Sequence, residues 1–236
     1  MFYLTYYLMG ILLLPGLIYA IVVQTKVNNA FNTYKTVHSS KGITAKDACK
    51  KILNNAGISD VEIVAIKGSL TDNYNPKTKT LSLSENVYNS TSISALGVAA
   101  HEAGHAIQHA EGYAFLKIRS SLVVVSNICS TLLWPLIIIG MIFSFGAYTS
   151  LGNVILWAGV IFFGVSVILS VVTLPVEFNA SSRALTCLVD SGALDTTEVK
   201  GAKVVLNAAA QTYVASLVVS ILYFIRFIAS ILIYRE

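Results

Sequence analysis

Four stretches of this chain, residues 2–23, 122–145, 154–174 and 214–234, carry no charged side chain apart from Arg226 in the last. Each is long enough to cross a bilayer, which takes about 20 apolar residues in a helix. In hydrocarbon the backbone must satisfy its own N–H and C=O groups, so runs of this length commit the chain to membrane helices. Composition agrees, with 55% hydrophobic and 12% charged residues against about 25% charged in a soluble domain. Arg226 is costly in lipid unless it pairs or snorkels toward the outer face.

The run 2–23 has no basic segment before it and is longer than the roughly 7–15 apolar residues of a cleavable signal, so it reads as a retained anchor. Pro15-Gly16 predicts a bend in it. Phe2, Tyr3, Tyr6 and Tyr7 suit an interfacial belt or helix packing equally well.

Eleven of the sixteen Lys and Arg lie within 26–119, and Arg183, Lys200 and Lys203 form a second basic region, whereas 146–153 has no charge. The positive-inside rule then predicts both basic regions in the cytoplasm and both termini outside. Cys49, Cys129 and Cys187 are odd in number and have no CxxC spacing, which points to neither a disulfide framework nor a thiolate metal site. No internal repeat, low-complexity tract or nucleic-acid module is present.

The first anchor continues as a polar helix over 26–37, with a break at 39–42. Thr44 as N-cap, Asp47 in the first turn and Gly57 as a stop predict a helix over 45–56. Residues 61–66 and 80–83 read as short strands, with turn chemistry between them at 71–76. The second strand is either an edge that holds an extended ligand by strand addition or filling for a small core. Residues 91–110 form an Ala-rich helix whose second half is crowded with His101, Glu102, His105, Gln108 and His109, so it is not a further span. Gly112 ends it.

That helix carries His101-Glu102-Ala103-Gly104-His105. A helix turns about 100° per residue, so two histidines four apart share a face and can bite one metal ion. Glu102 stands beside the first of them, where it can take a proton from a metal-activated water. Two imidazoles with one carboxylate suit zinc, which keeps a further position open for water. Three fixed residues in five also occur by chance, and a hydrogen-bonded patch or proton relay would use the same groups. Here, however, three of the four histidines fall within nine residues.

A third ligand has three candidates. His109 drifts by about 80° from His101 and rises about 12 Å along the axis, beyond one metal ion. Glu111 stands where one metalloprotease class places its third ligand, but that geometry needs a glycine turn at the position of Gln108. Glu177 follows the third apolar run directly after Pro175-Val176. Two crossings separate it from His105, which returns both to one compartment.

The stretch Ala99 to Gln108, with Leu174-Pro175-Val176-Glu177-Phe178-Asn179-Ala180-Ser181-Ser182-Arg183-Ala184, resembles the YugP-like neutral zinc metallopeptidases of bacterial membranes. The resemblance covers nearly the whole chain, including Leu70 to Tyr74 and Leu81 to Glu85. It implies one Zn2+ per chain on His101, His105 and Glu177, with Glu102 as the general base. The pattern is more distantly similar to membrane gluzincins of the HtpX and CAAX-processing type, where the later helix carries Glu-x-x-Ala-Asp. Ser181 stands here in place of that Asp, removing a carboxylate expected to orient a histidine ligand. Asn179, Ser181 and Asp190 are candidates to compensate. Arg183 and Tyr213 are candidates to stabilise a tetrahedral oxyanion or contact substrate.

The expectation is a membrane α-helical protein with about four transmembrane helices and a small cytoplasmic α+β zincin-like metallopeptidase portion. Its segments are a first helix over 2–23, a cytoplasmic portion over 24–120, helices over 122–145 and 154–174, a cytoplasmic helical segment over 175–213, and a last helix over 214–234. The function expected is a zinc-dependent endopeptidase of the bacterial cytoplasmic membrane, acting on membrane or membrane-proximal proteins. One rival is a non-catalytic zinc-binding scaffold or metal conduit, in which Glu102 would have no task. The other is a site-2-type intramembrane protease, whose later Asn-Pro-Asp-Gly-like segment is missing from this sequence.

Overall fold

The computed structural model describes residues 10–144 and 148–234. Among them the elements run α1 (Leu14–Lys35), α2 (Ala45–Asn55), β1 (Glu62–Ile66), β2 (Asn73–Asn75), β3 (Thr80–Ser84), α3 (Glu85–Tyr88), α4 (Ile93–Ala110), α5 (Ala114–Ser144), α6 (Thr149–Asp190) and α7 (Val199–Tyr234). The chain divides into two compact units. One comprises Met1–Val22, Ile118–Leu174 and Tyr213–Glu236; the other comprises Val23–Lys117 and Pro175–Thr212.

In the first unit, α5, α6 and α7 supply helices long and apolar enough to cross a membrane, three among the described residues. Phe163 packs between Phe224 and Phe227, with ring centroids 5.7 and 5.8 Å apart. Leu156, Val160 and Ile231 form a small buried cluster with the same two rings. Most other apolar side chains point outward, Trp134 at 69% and Ile161 at 68% exposure, a surface that is unfavourable in water. The fourth expected crossing, 2–23, begins outside the described residues, as does its aromatic belt. The helix is interrupted at Leu12–Leu13, in the turn just before the expected bend at Pro15-Gly16. Pro15 lies in the first turn of α1, where a missing N–H costs no helical hydrogen bond.

The second unit is a helix–sheet layer around one core. Thr44 caps α2 by accepting from the Asp47 N–H. The buried positions Ala45, Ala48, Cys49, Ile52 and Leu53 repeat at helical spacing, so one face of α2 enters the core. Gly57 stops α2 with φ of 71°; its N–H reaches Asn54 and that of Ile58 reaches Leu53, a glycine-closed end that spares the left-handed strain a side chain would meet. The same closure recurs at Gly112 after α4 and Gly192 after α6.

The sheet order is β1-β3-β2, with β1 parallel and β2 antiparallel to β3. The strand expected at 80–83 is therefore the central one, paired on both sides, and does not offer a free edge. Residues 73–75 lie inside the expected turn but form a strand, because Asn75 folds its side chain onto the N–H groups of Lys77 and Thr78 and moves the turn to 76–79. Leu81 and Leu83 of β3 join Leu96, Ala99, Ala100, Ala103, Leu188 and Leu206 in the core. All three cysteines are free thiols, and the buried Cys49 thiol donates to the Ala99 carbonyl.

Candidate metal centre

Helix α4 opens at Ser92, whose side chain accepts from the Ala95 N–H. It is rich in Ala and Gly and almost wholly buried, which lets other backbones approach closely. The tightest approach is at Gly104, where an added Cβ would lie 2.7 Å from the Ala180 carbonyl oxygen on α6. Ala180 is three residues beyond Glu177, so this contact sets the second helix against the histidine face.

The rings of His101 and His105 meet edge to face, with centroids 4.7 Å apart. Glu177 is 2% exposed, and its Oε2 lies 3.2 Å from His101 Nε2 and 3.6 Å from His105 Nε2. Ligand atoms of these three side chains all fall within 4.8 Å of one another. Tetrahedral zinc with bonds of 2.0–2.2 Å holds its donors about 3.4 Å apart. The two Glu177 separations bracket that spacing, so two imidazoles and a carboxylate fit the ion in number and chemistry, and Glu177 fits it in its distance from each ring. A carboxylate this deeply buried also needs cationic partners to offset its desolvation.

Glu102 makes no hydrogen bond or ion pair among the described residues, unlike the acids around it. Burial raises its pKa above the ordinary carboxylate value, against a partial downward pull from His101 and His105. Burial also works to lower the pKa of His105, but Glu177 and Glu102 outweigh it and the net shift is upward.

The neighbouring candidates take other places. The His109 Nδ1 is bonded to the Tyr74 hydroxyl at 2.9 Å, and Glu111 pairs with Arg183 at 2.6 Å; neither joins the ligand cluster. Arg183, considered for an oxyanion, thus has its Nη atoms on Glu111 and its Nε on Asn179. Tyr213 belongs to the other unit. Of the candidates to compensate for the missing Asp, Ser181 reaches His101 Nδ1 at 3.1 Å. Asn179 bonds Gln108 and Arg183. Asp190 ends α6, about 20 Å of helix rise beyond Glu177, and is not brought to the histidines. It lines a cavity of about 360 Å³ with Glu111, Arg183 and Cys187.

Gln108 was legible in the sequence as one of the polar residues that keep this helix out of the membrane and as the residue standing where a glycine turn would be needed, not as a partner of His105. The structure buries it completely and bonds its Oε1 to His105 Nδ1 at 3.0 Å. An uncharged polar residue three positions after His105, on a helix that is otherwise buried mainly through Ala, Gly and aliphatic side chains, is the signal that marks it.

Residues 9–232 match the family described as "Putative neutral zinc metallopeptidase". The chain belongs to this family. It is also 40% identical over 205 residues, 87% of this chain and 88% of the relative, to a Bacillus subtilis (strain 168) protein named "Putative membrane protease YugP". No solved structure matches the chain. Family membership spans the two segments that carry His101, His105 and Glu177, and helices of membrane-crossing length accompany them.

Proposed function

We propose that this protein is a membrane-bound zinc endopeptidase of the gluzincin kind, with His101, His105 and Glu177 as ligands and Glu102 as general base. The observation that carries the reading is a three-donor cluster within 4.8 Å, with Glu177 at 3.2 and 3.6 Å from the two imidazoles, beside the Glu102 carboxylate, which makes no hydrogen bond among the described residues. Zinc bound there would supply Lewis acidity toward a peptide carbonyl and lower the pKa of water in its open position.

The residues of the chain do the remaining work. Glu102, unbonded and shifted upward in pKa, accepts a proton from the attacking water and returns it to the departing amine. Glu177 balances the charge between two imidazoles, and Ser181 and Gln108 hold the far nitrogens of both rings. An extended substrate has a free sheet edge available at β2, whose Tyr74 already touches the histidine helix through His109.

In the membrane, this reading has four crossings, the three helices of membrane-crossing length and residues 2–23. The second unit serves as a zincin-like portion facing the cytoplasm, and the termini lie outside. Substrates would be membrane proteins or membrane-proximal segments.

The test is purified full-length protein assayed for zinc content and for cleavage of unfolded membrane-protein substrates, beside Glu102→Gln. The expected result is one zinc per chain in both and cleavage in wild type alone. Full zinc with equal rates in both proteins would leave a zinc-binding scaffold as the better description.

A further inference from the structure

The polar groups behind His105 form a chain whose polarity has only one consistent solution. A guanidinium is always protonated, so Arg183 Nε must donate. It lies 2.8 Å from one Asn179 side-chain atom, which therefore has to be the oxygen, Oδ1. The same oxygen lies 2.8 Å from a Gln108 amide atom, which in turn has to be the nitrogen, Nε2. That nitrogen also lies 2.8 Å from the Val176 carbonyl oxygen, an acceptor only, so two independent partners fix the same orientation. Gln108 Oε1 is then left facing His105 Nδ1 at 3.0 Å and can only accept. His105 must carry its proton on Nδ1.

We infer that Gln108, Asn179 and Arg183 are positioning residues that force His105 into the Nδ1–H tautomer, presenting the bare Nε2 lone pair to the metal. The inference rests on the metal-centre reading above. The relay is buried where it matters: Gln108 is 0% exposed and His105 9%, so water does not compete to reset the tautomer. Its far end is anchored outside the core, where both oxygens of Glu111 hold the two Nη atoms of Arg183. The other imidazole has a different arrangement. His101 Nδ1 faces the Ser181 hydroxyl, which can donate or accept and imposes no tautomer. Of the two histidine ligands, only His105 is thus pre-set for coordination before any ion arrives.

The preference is measurable because a neutral histidine in water favours the opposite tautomer, with the proton on Nε2. In the metal-free protein the nearby Glu177 carboxylate pulls in that direction too. Full-length protein labelled with 15N-histidine, stripped of metal and held at alkaline pH, should give the Nδ1–H signature for His105 in wild type. Gln108→Met should move it toward Nε2–H and raise the zinc dissociation constant about 10- to 100-fold, the usual effect of losing a partner behind a ligand. Asn179→Leu, which leaves the Val176 carbonyl as the one remaining partner of Gln108 Nε2, should change both readouts in the same direction by less. Asn179→Asp keeps an acceptor for both Gln108 and Arg183, and should retain the wild-type tautomer and affinity even though it alters the same buried position.

A wild-type His105 in the Nε2–H form overturns the inference, as does Gln108→Met with unchanged tautomer and zinc affinity. Asn179→Asp behaving like Asn179→Leu also counts against it, since packing and not polarity would then be responsible. A wild-type protein that takes up no zinc would remove the metal-centre reading instead, and the tautomer in the same metal-free sample would still decide the relay.

Discussion

Gly104 and the carbonyl of Ala180 stand so close that a single methyl group on the glycine would come within 2.7 Å of the oxygen. The obstacle is backbone on a packed helix, not the end of a flexible side chain, so it cannot swing away. Gly104→Ala should therefore force α4 and the Glu177 segment apart, with a cost of about 1–3 kcal/mol for overpacking. Because the same contact places Glu177 against both imidazoles, zinc content should fall with thermal stability. Gly97→Ala is the control: its added Cβ meets Ala202 at 3.5 Å, an ordinary contact. That variant should keep its zinc and its melting temperature.

Glu102 and Glu177 are both carboxylates beside the same two histidines, yet only Glu177 lies within bonding range of their Nε2 atoms. Glu102→Gln should bind zinc as wild type does and lose turnover by at least about 100-fold, the usual worth of a general base. Glu177→Ala should lose both zinc and turnover. Zinc content by elemental analysis beside peptide cleavage separates the two, and normal zinc content in Glu177→Ala would remove it from the ligand set.

The helix carrying the histidines was legible because its cues are local. The Ala run and Gly112 lie within one continuous segment. The same holds for α2, where Thr44 and Gly57 bound an amphipathic stretch. Strand β2 was not legible, since Asn73 to Asn75 have turn-forming composition, and their extension depends on pairing with β3 and on the turn that Asn75 closes beyond them. Glu177 could be nominated from its place after an apolar run, but its meeting with His101 depends on Gly104 and Ala180, 76 residues apart in sequence and invisible as a pair. The role of Gln108 behind His105 was hidden for the same reason: its partners Val176 and Asn179 lie on another helix.

Metal removal should change how stability depends on pH. In the metal-free protein His105 has a raised pKa, because Glu177 and Glu102 outweigh the opposing effect of burial. The protonated imidazole then contributes stability that is present in full below the unfolded histidine value of about 6.5. That contribution fades as pH rises through the higher folded value. Zinc needs the neutral imidazole, so its affinity grows with pH over the same interval. Melting curves from mildly acidic to alkaline pH should therefore diverge, the chelated protein weakening as pH rises and the zinc-loaded protein gaining on it. Parallel curves would mean that His105 does not exchange a proton for the ion.

Ser181 offers the most direct route to a better site. Its hydroxyl lies 3.1 Å from His101 Nδ1 and the residue is buried, at 7% exposure. A hydroxyl can hold that nitrogen but adds little to the basicity of the ring, whereas a carboxylate behind a histidine ligand fixes the tautomer and strengthens the metal bond. Ser181→Ala should raise the zinc dissociation constant by up to about 10-fold, the lower end of what such partners contribute. Ser181→Asp should lower it, provided that zinc is present during folding, because the ion compensates the extra buried negative charge. Without zinc the same variant should be less stable than wild type, for it adds a third carboxylate to Glu102 and Glu177 around the two histidines with no metal ion to offset it. Competition with a chelator of known affinity gives the dissociation constants, and melting with and without metal gives the two stabilities. Equal zinc affinity in Ser181→Ala, Ser181→Asp and wild type would show that His101 is oriented by its ring packing against His105 and not by Ser181.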